Sequence, residues 1–84
     1  MPTIATFYGI IISMYFRRSE HNPPHFHVYY GDYEALIEIK TLTIFKGELP
    51  NKILKMVVAW ASTHQKELID MWENENIHKL PSLK

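Results

Sequence analysis

The chain has 84 residues, no cysteine, and nine basic residues balanced by nine acidic ones. A length of this order holds one domain and buries only about 60–65% of the surface its unfolded form exposes, so stability rests on dense packing, a second copy or a partner. Disulfides and thiolate metal sites are excluded, and a formal net charge of zero argues against broad binding to a nucleic-acid backbone. With 46% hydrophobic and 13% aromatic residues, a small dense core is within reach. Five histidines make the charge balance depend on pH.

The first apolar stretch, Phe7 to Phe16, is about ten residues long, half of the roughly 20 that a membrane-spanning helix needs. Met1-Pro2 before it and Arg17-Arg18 after it reverse the charge order of a signal peptide, so a cytoplasmic protein is expected, with no membrane partner. Tyr8 to Phe16 is rich in β-branched and aromatic residues and predicts a strand. His25 to Tyr30 and Tyr33 to Ile39 predict two more, joined by Gly31-Asp32 in a tight turn of type II′ or I′. Leu42 to Phe45 predicts a short fourth strand, ended by Gly47.

The hairpin fixes a register in which Tyr30 faces Tyr33, Val28 faces Ala35, His27 faces Leu36, Phe26 faces Ile37 and His25 faces Glu38. Alternation then puts Phe26, Val28, Tyr30, Tyr33, Ala35, Ile37 and Ile39 on a core face. His25, His27, Tyr29, Glu34, Leu36 and Glu38 share the other, polar face. A slip of one residue would exchange the two.

From Pro50 the period changes. Proline is tolerated at a helix start, and Ile53, Val57, Trp60, Ala61, His64, Leu68, Met71 and Trp72 recur at spacings of three and four. One helix is predicted to about Glu73–Glu75. Its length of about 36 Å exceeds the roughly 23 Å of a seven-residue strand, so the helix overhangs the sheet. Leu68, Met71 and Trp72 are then partly bare and form a candidate interface with a partner or in a homodimer. Alternatively, the segment Ile77-His78-Lys79-Leu80-Pro81 folds back over them. His64, on the stripe, is expected to be buried and paired with a carbonyl or a tyrosine hydroxyl. The fold class is therefore α+β, an antiparallel meander of three to four strands packed against one long C-terminal helix. Residues 1–76 form the domain and 77–84 a tail.

Reactive side chains concentrate in Glu20-His21-Asn22-Pro23-Pro24-His25-Phe26-His27. The two prolines hold the loop stiff before a strand, and His25 and His27 project from one face about 6.5–7 Å apart. Three readings of this cluster stand side by side. In the first, paired imidazoles move protons, Glu38 orients His25, and Arg17 holds an anion such as a phosphodiester, as a metal-independent ribonuclease would require. His21, Asn22 and Tyr29 would then help to bind the substrate. In the second, His21, His25 and His27 hold a metal, although His-x-His alone is a weak signal and no metal is favoured. In the third, the histidines are structural, which is the commonest fate of such residues. No cofactor is implied.

The runs Thr6-Phe7-Tyr8-Gly9-Ile10, Glu20 to Val28 with its HNPPHFHV string, Gly47-Glu48-Leu49-Pro50, and Trp60, His64, Glu67-Leu68 and Trp72 together resemble a small prokaryotic family, the domain of unknown function 4160 family. The likeness runs from Met1 to about Trp72. Members are commonly encoded beside a protein of the domain of unknown function 2442 family, in pairs regarded as type II toxin–antitoxin modules. The resemblance thus implies a bacterial toxin with a cognate small antitoxin as its partner and a role in growth control; RNA as its target comes from the acid–base reading of the histidine face. It supplies no catalytic assignment. His21, Asn22, Pro23, Pro24, His25 and His27, with Trp60, His64 and Trp72, are the positions to which it lends weight. The alternative is a non-enzymatic binding module that regulates its partner.

Overall fold

The computed structural model describes residues 3–15 and 23–83. Five strands, β1 (Thr3–Phe7), β2 (Ile10–Ser13), β3 (His25–Tyr30), β4 (Tyr33–Glu38) and β5 (Ile44–Gly47), precede two helices, α1 (Asn51–Ser62) and α2 (Gln65–Asn74). The strands form one sheet in the order β1-β2-β3-β4-β5, each antiparallel to its neighbours. The α+β class and the meander are as expected, while the strand and helix numbers are corrected upward.

The additional strand arises at Tyr8-Gly9, where both residues take positive φ (51° and 79°). That is the pattern of a type I′ turn, whose twist suits a hairpin. Tyrosine is seldom found at positive φ, so the sequence predicts its first strand from Tyr8 itself and leaves β1 unassigned. The β3–β4 register matches the predicted pairing from Tyr30↔Tyr33 to His25↔Glu38. Gly31 takes positive φ (57°) and Asp32 does not, as a II′ turn requires.

β5 begins two residues later than predicted, because Leu42 sits in the preceding turn with φ 57° and donates its N–H to the Glu38 carbonyl. Along β5, Lys46 lies opposite Leu36 and Ile44 opposite Ile37, so Phe45 is an extra residue in a β-bulge.

Phe26, Val28, Ala35, Ile37 and Ile39 are buried, together with Ile12 and Met14 from the β2 segment and Val57 and Trp60 from α1. The predicted core face therefore holds along most of its length. At the turn end of the hairpin it fails: Tyr30 is half-buried and Tyr33 is exposed.

The single long helix is broken at Thr63-His64. Just before the break, Ser62 Oγ donates to the Ala59 carbonyl and Thr63 Oγ1 to the Trp60 carbonyl, local bonds of the kind that compete with helix continuation. Gln65 Nε2 then donates to the Ile39 carbonyl oxygen at 2.9 Å, tying the first turn of α2 to the end of β4. His64 occupies the N-cap position of α2. Its ring packs 5.1 Å from that of Trp60 and its Nδ1 lies 2.9 Å from a Glu67 carboxylate oxygen, in place of the carbonyl or tyrosine partner expected.

Two shorter helices remove the overhang. Leu68, Met71 and Trp72 are buried at 0%, 2% and 2% exposure, which corrects their assignment to a bare interface. The chain after α2 is not a loose tail: Leu80 is buried and donates its N–H to Ile4 of β1, Ser82 Oγ donates to Thr6, and the Pro81 carbonyl accepts the Trp60 indole N–H at 2.7 Å. This segment runs beside the β1 edge and packs as part of the domain. No helix among the described residues is long and apolar enough to cross a membrane.

Candidate functional site

The residues opposite the core face form rows across the strands. Ser13, His27, Leu36 and Lys46 are successive cross-strand partners, and Ile11, Tyr29 and Glu34 make the next row. His25 starts β3 opposite Glu38. Its Nδ1 lies 2.8 Å from the Pro23 carbonyl oxygen. A carbonyl only accepts, so Nδ1 carries the proton and the donated bond fixes both tautomer and ring pose. The stiff proline pair thus provides, through one carbonyl, an orienting role that sequence reasoning gave to Glu38.

The His25 and His27 rings stand side by side with centroids 5.4 Å apart. Their face is not open at both residues. His25 is 5% exposed, with the Trp72 ring of α2 at 5.1 Å and the Phe45 ring of the bulge at 5.3 Å. His25 and His27 share the face expected to be polar, but α2 covers that face at His25. Shortening and redirecting the second helix brings Trp72 onto it.

His27 is held differently. The Tyr15 ring meets it edge-on at 4.6 Å, the Tyr29 ring lies nearly parallel at 6.2 Å, and the two tyrosine hydroxyls hydrogen-bond to each other at 2.9 Å. This aromatic clamp leaves His27 on the wall of a cleft of about 390 Å³, lined also by Glu34, Ala35, Leu36, Lys46 and Gly47. His27 Nδ1 is 3.7 Å from a Glu34 carboxylate oxygen, with the His27 side chain 12% exposed and that of Glu34 57%. The separation exceeds hydrogen-bond length. Beside His27, the Ser13 hydroxyl is fully buried without a hydrogen-bond partner among the described residues.

Arg17, His21 and Asn22 lie outside the described residues. Of the remaining candidates, His25, His27, Tyr29 and Glu38 are brought to one side of the sheet, whereas Leu68, Met71 and Trp72 are in the core. Among the described residues, no group of three or more His, Asp or Glu side chains is placed to hold a metal ion, and the three-histidine set needs His21. Tyr15, Glu34, Phe45 and Lys46 were missed as site residues. Tyr15 was findable: continuing the β2 alternation from Ser13 puts it next to His27. Phe45 and Lys46 were not, because an unbulged strand sends neighbouring side chains to opposite faces.

No curated protein and no solved structure matches the chain. The family model described as Domain of unknown function (DUF4160) matches residues 9–73, a span that takes in β2 to β5, α1 and nearly all of α2, with both histidines of the site. The chain belongs to the DUF4160 family.

Proposed function

We propose that this protein is the toxin-like effector of a two-protein toxin–antitoxin pair, acting in the cytoplasm on RNA at the cleft beside His27. The observation that carries this reading is the clamped His27 imidazole on the wall of a cleft that Lys46 and Glu34 also line, with the Glu34 carboxylate 3.7 Å from the ring. Those are the parts that phosphodiester cleavage needs. An imidazole takes the 2′-hydroxyl proton, the 2′ oxygen attacks phosphorus to form the 2′,3′-cyclic phosphate, and the departing 5′ oxygen takes a proton back from the imidazolium while the cation balances charge on the phosphate. Glu34, 3.7 Å from Nδ1, favours the imidazolium formed when the ring takes the 2′-hydroxyl proton. His25 is a positioning residue, packed against His27 and too buried to touch a polymer.

The alternative, a non-enzymatic module that regulates its partner, is favoured by the same burial of His25 between Trp72 and Phe45, which suits a structural residue. Expression of the chain with and without the neighbouring gene separates the two. Growth arrest relieved by the partner supports the effector, and arrest undiminished by His27→Ala in a folded protein removes the catalytic role. No effect on growth favours the module.

A further inference from the structure

We propose that Phe45 and Lys46 form a landing site for one unpaired nucleotide of single-stranded RNA, the base stacking on the phenyl ring and the phosphate meeting the ammonium. The inference rests on the RNA-directed reading of the histidine face and names what that face recognises.

The bulge supplies the first argument. In a regular strand Phe45 and Lys46 would point to opposite sides, and an extra residue between the Lys46↔Leu36 and Ile44↔Ile37 pairs breaks that alternation. Phe45 is thereby placed against His25, at 5.3 Å and 78°, and stays 43% exposed. An edge-to-face contact of that kind fixes the ring while leaving aromatic surface available. Every base has a π-face, so such a ring binds single strands without demanding a sequence.

The second argument is the cleft. Lys46 and Gly47 line it with His27, and its volume of about 390 Å³ lies in the range of a small-ligand pocket. Gly47 lines the cleft where β5 runs closest to β4: a Cβ there would collide with the Glu34 carbonyl oxygen and force the two strands apart. Glu34 on the cleft wall repels phosphate, which orients the nucleotide with its phosphate toward Lys46. Among the described residues β5 is the last strand of the sheet and its outer edge pairs with no other strand, so Phe45 and Lys46 stand on an edge that a single strand can approach. With zero net charge on the molecule, stacking on Phe45 and the local charge of Lys46, the one cation lining the cleft among the described residues, carry the recognition. A duplex, whose bases are already stacked, offers nothing to Phe45.

The test is a fluorescence-anisotropy titration of the purified full chain with labelled single-stranded RNA of about eight nucleotides, a length that one small module spans. The wild-type chain should bind the single strand and not the matching duplex, with a salt slope near −0.7, as for roughly one phosphate contact. Phe45→Leu, which retains apolar volume, should weaken binding by about tenfold or more, the loss of one base stack, and Phe45→Tyr should retain it. Circular dichroism confirms that each variant is folded. Binding by Phe45→Leu equal to wild type, or no binding by the wild-type chain, overturns the proposal. Growth arrest by a chain that binds no strand would sink this inference alone, whereas binding without arrest would keep it and sink the effector reading.

Discussion

Gly47 ties the site to the fold, and replacing it with alanine measures that tie. Its φ is +83°, where an alanine costs about 1–2 kcal/mol relative to glycine, partly offset by about 0.4–1 kcal/mol of unfolded-state entropy. The added Cβ would also lie 2.2 Å from the Glu34 carbonyl oxygen and 3.0 Å from Ala35 Cα, both of them backbone. Relief requires β5 to move by about an ångström and strains the bond from the Glu48 N–H to that same carbonyl, at 3.1 Å, with neighbouring ladder bonds at about 1 kcal/mol each. Gly47→Ala should therefore cost about 3–4 kcal/mol, a fall in Tm of roughly 12–30 °C for a domain of this size. Gly31→Ala is the control. Gly31 shares the positive φ (57°) but a Cβ there meets nothing within 4 Å, so only the conformational cost of about 1 kcal/mol remains. Both variants are compared by urea and thermal denaturation. Equal destabilisation of the two would refute the close approach of β5 to β4 and, with it, the geometry of the bulge and the cleft.

Three further outcomes follow from the packing. Truncation after Asn76 removes the buried Leu80 and leaves the Trp60 indole N–H unpaired, so it should cost about 3–5 kcal/mol in denaturation experiments; a loss under 1 kcal/mol would mean that the segment is a tail after all. Ser13→Ala deletes a buried hydroxyl that has no partner among the described residues and should raise stability by about 1 kcal/mol, read as a higher denaturation midpoint, whereas a marked loss would reveal a partner for Ser13. Tyr15→Phe retains the ring edge-on to His27 and loses only the bond to Tyr29, for a cost of about 1 kcal/mol at unchanged fold. Tyr15→Ala should cost more and free the His27 ring, visible as a changed imidazole NMR signal.

What could be read from the sequence was what local chemistry determines. Gly31-Asp32 specified a turn, the turn specified a register, and the register put His25 and His27 on the side opposite Phe26 and Val28. The errors arose where one residue carried the decision against its own propensity. Tyr8, expected to open a strand, instead takes positive φ in the turn between an unforeseen β1 and β2, and Leu42 at positive φ shifted β5. The helical stripe was real, but periodicity is indifferent to a break that preserves it, and Ser62-Thr63 with the anchor at Gln65 redirected the second half. That redirection buried Trp72 and brought it onto His25, so the same error produced both the unnecessary interface and the overly open face. The bulge at Phe45 had no signature beyond the glycine that follows two residues later.

The central claim is that the His27 imidazole performs chemistry on RNA. The direct measurement incubates the purified chain with RNA and analyses the ends of the fragments, for wild type and for a folded His27→Ala variant. Fragments ending in 2′,3′-cyclic phosphate and 5′-hydroxyl, produced by the wild type and absent with the variant, are the predicted result. Intact RNA with the wild type, or the same cleavage by both proteins, would contradict it.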